Sequence, residues 1–90
     1  MSKLFDNYLN LKATEKDANN TLYIFKSGIF FIFLDNDARI ASKLLNLKLT
    51  YLTENIIKCG FPINSLAKHL TRLKLLIPPK IIFIHLMILK

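Results

Sequence analysis

The residues of this sequence that could carry out chemistry are few and isolated. Cys59 is the single cysteine, and the two histidines, His69 and His85, are isolated from it and from each other along the chain. A metal site needs several such ligands together, and a cysteine nucleophile needs a partner base that cannot be identified here. We therefore expect no metal site and no disulfide. His69 is predicted to be a solvated helix residue, His85 a tail residue and Cys59 a small buried hydrophobe.

Asp35 and Asp37 are the pair of acids that could exchange protons during catalysis. They stand directly before an amphipathic run, where short oxygen-bearing side chains and negative charge cap the N-terminus of a helix, so we predict capping. The only glycines are Gly28 and Gly60. Two glycines at that spacing cannot form a phosphate-binding loop of the G-x-x-x-x-G-K-[ST] or G-x-G-x-x-G type. An enzyme is the least favoured class of function, and no cofactor is expected.

Phe30 and Phe31 follow Lys26 across a predicted strand turn. Because side chains alternate along a strand, the two rings are expected on opposite faces. One interpretation places both rings in the core, as is usual for aromatic residues in strands. The other presents one ring outward beside a basic residue, as in proteins that insert an apolar wedge between DNA base steps. The physical pattern leaves both interpretations open.

The elements that position these residues can be predicted from local patterns. Residues 23–25 and 29–34 are rich in β-branched and aromatic residues, and Ser27-Gly28 between them predicts a hairpin turn. Apolar residues at three- and four-residue spacing predict a helix over residues 38–47, and alternation over 47–51 predicts a third strand.

The flanking segments complete the prediction of an α+β fold, with one small mixed sheet and about three helices packed on it. Gly60-Phe61-Pro62 is predicted to end the fourth strand and turn the chain, because glycine tolerates positive φ and proline lacks a donor. Asn64 or Ser65 is expected to cap the next helix, which Pro78-Pro79 stops. The chain is interpreted as a single domain, residues 1–90. Its N-terminal part is predicted to be a helix over 3–12 and a surface loop over 13–20. The remaining predicted segments are a short strand over 56–59 and a buried apolar strand over 81–89, which lies within a divergent tail, 77–90.

Charge and hydropathy narrow the choice of partner. The net charge is +7, and no acid follows Glu54, whereas six cations do: Lys58, Lys68, Arg72, Lys74, Lys80 and Lys90. This asymmetry favours an anionic partner, either nucleic acid or an acidic membrane surface. Mean hydropathy is high at +0.33, but no segment reaches the roughly 18–20 apolar residues of a spanning helix. We expect no membrane insertion, no signal peptide after Met1-Ser2-Lys3, and a cytoplasmic location.

Residues 25–50 resemble the N-terminal, mismatch-recognition domain of the MutS DNA mismatch repair proteins. That domain typically reads aromatic-basic-x-Gly-Asp-Phe-Tyr-Glu, then an acidic pair, Ala, an amphipathic helix and Leu-Thr. Phe25-Lys26-Ser27-Gly28 matches the approach, Phe30-Phe31 matches Phe-Tyr, and Leu49-Thr50 matches the exit. Residues 8–12 are similar to the family's Tyr-Leu-x-Leu-Lys, and residues 59–62 to its Ala-Gly-Ile-Pro turn. The resemblance covers about residues 8 to 76.

The resemblance implies that the partner is duplex DNA, mismatched or matched. In that family the Phe stacks on a mispaired base from the minor groove and the Glu two residues later hydrogen-bonds it, which makes Phe30 the wedge. Ile32 stands at the Glu position and has no hydrogen-bonding group, so stacking is retained and base discrimination by that contact is not. The expected DNA-contacting residues are Phe30 and, for the phosphates, Lys26, Lys58, Lys68, Arg72 and Lys74.

Two other classes of function remain open. A protein-interaction module without DNA selectivity would self-associate, or pair with a MutS-family partner, through an exposed apolar C-terminal strand. A basic interfacial module would bind anionic lipid. Ninety residues do not accommodate the connector, lever, clamp and ATPase domains of the MutS proteins, so the chain is a stand-alone paralogue, a truncated product or a fragment.

Overall fold

The computed structural model describes residues 3–87. Within that range five strands form one mixed sheet in the order β3-β4-β2-β1-β5, in which β1 and β5 are parallel and the other neighbours antiparallel. The predicted α+β class is confirmed. The strands and the three α-helices, in chain order, are α1 Lys3–Thr14, β1 Thr21–Ser27, β2 Phe30–Leu34, α2 Asp35–Leu45, β3 Thr50–Thr53, β4 Ile56–Pro62, α3 Leu66–Leu76 and β5 Phe83–Met87, with short 3-10 turns at Ala18–Asn20 and Ile63–Ser65.

The predicted hairpin is confirmed. Ser27 of β1 pairs with Phe30 of β2, which leaves Gly28 and Ile29 as a two-residue turn. Gly28 has φ of 61°, the left-handed region that the first position of such turns uses and that favours glycine. This turn sets the register of the two central strands, and therefore which phenylalanine faces which side.

The two faces of the sheet carry separate apolar clusters. The face covered by α2 and α3, called here the helix-layer face, holds Phe31, Phe33 and Phe61 with Ala41 of α2 and Leu73 of α3. The opposite face, called here the α1 face, packs against Tyr8 and Leu11 of α1 through four side chains of β1 and β2: Tyr23, Phe25, Ile32 and Leu34. The sheet is therefore the middle layer of three.

The prediction that Gly60 ends β4 is wrong. Gly60 lies inside the strand and pairs with Ile32 of β2. A Cβ at Gly60 would lie 2.3 Å from the carbonyl oxygen of Phe31 and 2.9 Å from Cγ2 of Ile32. Glycine is required here because of a close backbone approach and not because of a turn.

The prediction of a strand over 47–51 is correct only in its second half, since β3 begins at Thr50. The N–H of Leu47 donates to the carbonyl of Ser42 at 3.0 Å, and the Ser42 hydroxyl donates to the carbonyl of Leu47 at 2.6 Å. Both backbone groups of Leu47 are thus used to close the C-terminus of α2 and cannot join a strand ladder.

The prediction of a buried strand over 81–89 is wrong about burial. β5 is an edge strand beside β1, and Phe83 is 49% exposed. Apolar composition did not separate an edge from a central position, which depends on the order of strands in the sheet. Residues 88 and 89 of that prediction lie outside the described residues.

Asp35 and Asp37 do not cap α2, although the helix starts with them. The N-cap position is taken by Leu34, and no side chain caps the helix there. The third helix begins and ends as predicted, between Ser65 at its N-cap and Pro78, although Ser65 also makes no side-chain cap bond.

Candidate nucleic-acid interface

Phe30 and Phe31 point to opposite faces of the sheet, as strand alternation predicts. Phe31 is 6% exposed in the core of the helix-layer face, whereas Phe30 is 44% exposed on the α1 face. Phe30 lies directly opposite Ser27 on one side and Pro62 on the other. It lies outside the cluster under α1, so the hairpin end of this face presents an aromatic ring to solvent.

A shallow hollow of about 240 Å³ adjoins the Phe30 ring. It is smaller than the roughly 300–1,000 Å³ of small-molecule pockets and opens on the surface of the sheet. Two cations, Lys48 and Lys58, line it together with Ile32, Thr50 and Leu52. We call Phe30, Lys48 and Lys58 the wedge patch, because they combine an exposed aromatic ring with two positive charges.

Only one of the five basic residues predicted to contact DNA shares a face with Phe30. Lys58 pairs with Leu34 and Thr50, which places it on the α1 face. Lys26 pairs with Phe31, so its side chain points to the helix-layer side. The remaining three are exposed on α3, which packs against the helix-layer face: Lys68, Arg72 and Lys74.

Lys48 is a residue of the patch that motif-based reasoning did not select. It precedes β3, and with Thr50 and Leu52 it points toward the hollow. The signal that could have identified it is the alternation over residues 47–51, which places Lys48 and Thr50 on one face.

Ile32 lies two residues after Phe30 on the same face and forms part of the floor of the hollow. It is buried in the α1 cluster with Phe25 and Leu34. An aliphatic side chain at this position adds packing to the sheet and has no polar atom with which to contact a base.

A buried ion pair holds α1 against the sheet and was not foreseen. Asp37 is 1% exposed; its Oδ1 lies 3.0 Å from Nζ of Lys12, and its Oδ2 accepts the Tyr23 N–H at 3.0 Å. Lys12 also donates to the carbonyls of Ala18 and Thr21, both at 2.9 Å. Burial raises the pKa of Asp37, and the Tyr23 N–H and Lys12 oppose that rise. The pair connects α1, β1 and α2.

The isolated reactive residues are structural. Cys59 is buried and its thiol donates to the carbonyl of Ala38 at 3.4 Å, and burial raises its pKa to about 12, so the predicted role as a small buried hydrophobe is confirmed. The prediction of a solvated His69 is wrong, since its half-buried ring stacks on Phe61 at 4.2 Å between centroids. His85 lies in β5, with its ring 5.7 Å from that of Tyr23.

Residues 3–87 form neither a metal-binding cluster nor a membrane-spanning helix. No group of three or more His, Cys, Asp or Glu side chains in that range is arranged to hold a metal ion. In the same range, none of the helices combines the length and apolar character needed to cross a membrane.

The comparison with known families decides the relationship. The family model of MutS domain I matches residues 2–76. The chain belongs to the MutS domain I family. The match includes the hairpin, the wedge patch and both helices of the helix layer, and β5 lies beyond it.

Individual MutS proteins agree with the family match. DNA mismatch repair protein MutS of Rickettsia canadensis is 36% identical over 76 residues, which are 80% of this chain and 8% of that protein. The protein of the same name from Borrelia garinii is 39% identical over 66 residues, 73% of this chain and 7% of the relative. That of Zymomonas mobilis is 34% identical over 74 residues, 78% of this chain and 8% of the relative. The chain thus spans less than a tenth of the length of these relatives.

Proposed function

We propose that this MutS domain I chain binds duplex DNA through the wedge patch, with the Phe30 ring entering between base steps from the minor groove. The observation that supports this proposal is the exposure of Phe30, 44%, at the hairpin end of the sheet where α1 does not cover it. Domain I is the mismatch-recognition domain of the relatives. In this chain we assign the DNA contact to the Phe30 ring and to Lys48 and Lys58.

The energetics of such a contact are balanced. Opening a base step costs a few kcal/mol, and an inserted apolar side chain offsets it with new contacts. Stacking of a base on an aromatic side chain contributes about 1–3 kcal/mol. Lys48 and Lys58 lie next to the ring, where they can neutralise the phosphates that border the minor groove and release counterions.

Discrimination between mismatched and matched DNA should be weak. Ile32 cannot hydrogen-bond a base, so the only preference left is the lower cost of unstacking a base that is already mispaired. We therefore propose general duplex binding with a preference that depends on how easily the step opens.

The test is a filter-binding titration of the full chain against matched and G·T-mismatched duplexes at two salt concentrations. Phe30→Ala should weaken binding by about 5- to 150-fold, the factor that corresponds to the loss of one stacked base. Tyr51→Ala is the matched control, because Tyr51 is also an exposed aromatic residue but pairs with Ile57 and so points away from the α1 face. Equal affinity of wild type and Phe30→Ala would exclude the wedge.

A second candidate function is pairing of β5 with another chain. β5 is an edge strand with exposed apolar side chains such as Phe83 and Leu86, and an edge of this kind can recruit a further strand. Size-exclusion chromatography should then show a dimer that Leu86→Lys converts to a monomer. A wild-type monomer at all accessible concentrations would exclude self-association.

A further inference from the structure

Four exposed cations lie on the outer side of the helix layer. Arg39 and Lys43 are on α2, and Lys68 and Arg72 are on α3. Each pair is four residues apart, so its members lie one above the other on the same side of the helix. The two helices also contact each other. The four charges therefore share one surface, which we call the helix-layer patch.

This patch has no acidic counterpart on its own helices. α3 carries no acid, and α2 carries only Asp35 and Asp37, in its first turn. Asp37 is buried against Lys12, and Asp35 lines a hollow on the α1 side together with Tyr8. Among residues 3–87, none of the four cations forms an ion pair with a carboxylate. Like charges four residues apart destabilise a helix by a few tenths of a kcal/mol, and a bound polyanion would remove that cost.

The helix-layer patch and the wedge patch lie on opposite sides of the sheet. α2 and α3 cover the face that holds Phe31, whereas Phe30 is exposed on the other face. The sheet and α3 therefore lie between Phe30 and Arg72, and a duplex lying flat on the Phe30 face does not face Arg72. The basic residues of the two surfaces therefore point to opposite sides of the sheet.

We propose that the helix-layer patch is a second DNA-binding surface, by which one chain holds two duplex segments at once. The partner is identified by chemistry: Arg39 and Lys43, and likewise Lys68 and Arg72, are separated by about 6 Å along their helices, and a DNA strand carries one phosphate per about 3.4 Å of axis, so each pair can neutralise phosphates of one strand. Within α3 the exposed large apolar side chains are Leu75 and Leu76, both at its C-terminal end, which is too little apolar surface for a helix that inserts into lipid.

DNA binding by the helix-layer patch does not depend on the function proposed above. The holding of two duplexes by one chain does rest on that proposed function, because the wedge patch must bind one of them. The test variant is Lys43→Gln/Arg72→Gln, which removes one charge from each helix. The matched control is Lys16→Gln/Lys80→Gln, because both of these lysines are exposed outside the two patches. The slope of log affinity against log salt should become shallower by about 1.8 in the test variant, and it should be unchanged in the control.

Holding of two segments is measured with an immobilised duplex that is loaded with protein and then offered a second, labelled duplex, at a concentration where the protein elutes as a monomer. Wild type should retain the second duplex. Lys43→Gln/Arg72→Gln and Phe30→Ala should each still bind one duplex and lose the second.

The failures of the two proposals give different results. If the Lys43/Arg72 variant has the wild-type slope and retention, the helix-layer patch is not a DNA surface. If Phe30→Ala matches wild type while the Lys43/Arg72 variant loses binding, the wedge patch fails and the helix-layer patch is the sole DNA surface, so bridging by one chain is overturned. If the Lys43/Arg72 variant loses only its binding to phosphatidylserine vesicles, the partner is lipid and the proposal is overturned.

Discussion

The two faces of the sheet differ in how completely they are covered. The helix-layer face is packed against two helices, and Phe31, Phe33 and Phe61 meet there in one cluster. The α1 face is packed against a single helix, which covers Tyr23 and Phe25 and leaves the hairpin end open. Phe30 and Phe31, adjacent residues of the same type, therefore lie in opposite environments, one exposed and one buried. The difference shows that coverage by helices, and not apolarity, separates core from candidate site.

The largest expected effect is the difference in unfolding free energy between variants of the two neighbouring rings, Phe31 and Phe30. Phe31→Ala should lower the free energy of unfolding by about 3–5 kcal/mol, because it opens a cavity in the helix-layer cluster. Phe30→Ala should lower it by about 1 kcal/mol or less, because much of that ring is already in water. Urea denaturation of both variants measures the difference. Similar losses in the two would contradict the assignment of one ring to the core and the other to the surface.

The next effect concerns the ion pair that holds α1 on its face. Lys12→Met should lower the free energy of unfolding at pH 7 by about 3 kcal/mol, because it leaves the Asp37 carboxylate buried without its cation. Loss of Lys12 also raises the pKa of Asp37 further, since Lys12 opposes the rise caused by burial.

The sign of the pH dependence follows from that shift. An acid whose pKa is raised in the folded state contributes stability at low pH, and this is lost as pH rises through the folded pKa. The deficit of Lys12→Met relative to wild type should be smallest below the ordinary pKa of 3.8 and should grow toward neutral pH. Lys12→Met/Asp37→Asn is the control and should lose this dependence; a deficit of constant size in the single variant would mean that Asp37 is not the group responsible.

A smaller effect tests how closely β2 and β4 approach each other beside the open part of the α1 face. Gly60→Ala should cost about 1–3 kcal/mol, because the added Cβ meets the Phe31 carbonyl at 2.3 Å and backbone must shift. Gly28→Ala is the comparison, with nothing within 4 Å of the new Cβ and only the φ of 61° to strain it, at about 1–2 kcal/mol. Thermal unfolding measures the loss of stability in both variants. An intact hairpin in Gly28→Ala and a shifted β2–β4 register in Gly60→Ala would support this explanation. A Gly60→Ala protein as stable as wild type would contradict it.

The smallest effect on the fold concerns the cations of the wedge patch. Lys48→Gln and Lys58→Gln should each leave the unfolding free energy within about 0.5 kcal/mol. Each should also make the salt dependence of DNA binding shallower by about 0.9. Filter binding over a salt series measures the slope. Unchanged slopes in both variants would remove these two lysines from the contact.

Local patterns predicted most of the fold. The hairpin, α2 and α3 were found because turn residues, helix period and prolines act over a few residues. The start of β3 was not, because it depends on the hydrogen bonds between Ser42 and Leu47. The exposure of β5 was predicted only by the protein-interaction alternative, because strand order is a property of the whole sheet and cannot be derived from the composition of one strand.

The candidate site was predicted in part. The family motif and strand alternation together selected Phe30, and Lys58 proved to share its face. Lys48 was not selected because the family motif assigns no contact to its position, and it reaches the patch through the pairing of β3 with β4. Net charge identified Lys68 and Arg72 as candidates for an anionic partner, but charge along a chain does not say on which side of a sheet a helix packs.

The amino-acid sequence alone determined the kind of fold, the position of the hairpin and the family, since each depends on residue types at short, regular spacing. Tertiary structure alone decided that Asp37 pairs with Lys12, that Gly60 is needed for a close strand approach, and that the basic residues divide between two opposite surfaces. Those outcomes depend on contacts between residues distant in the chain, and such contacts exist only after the sheet has brought them together.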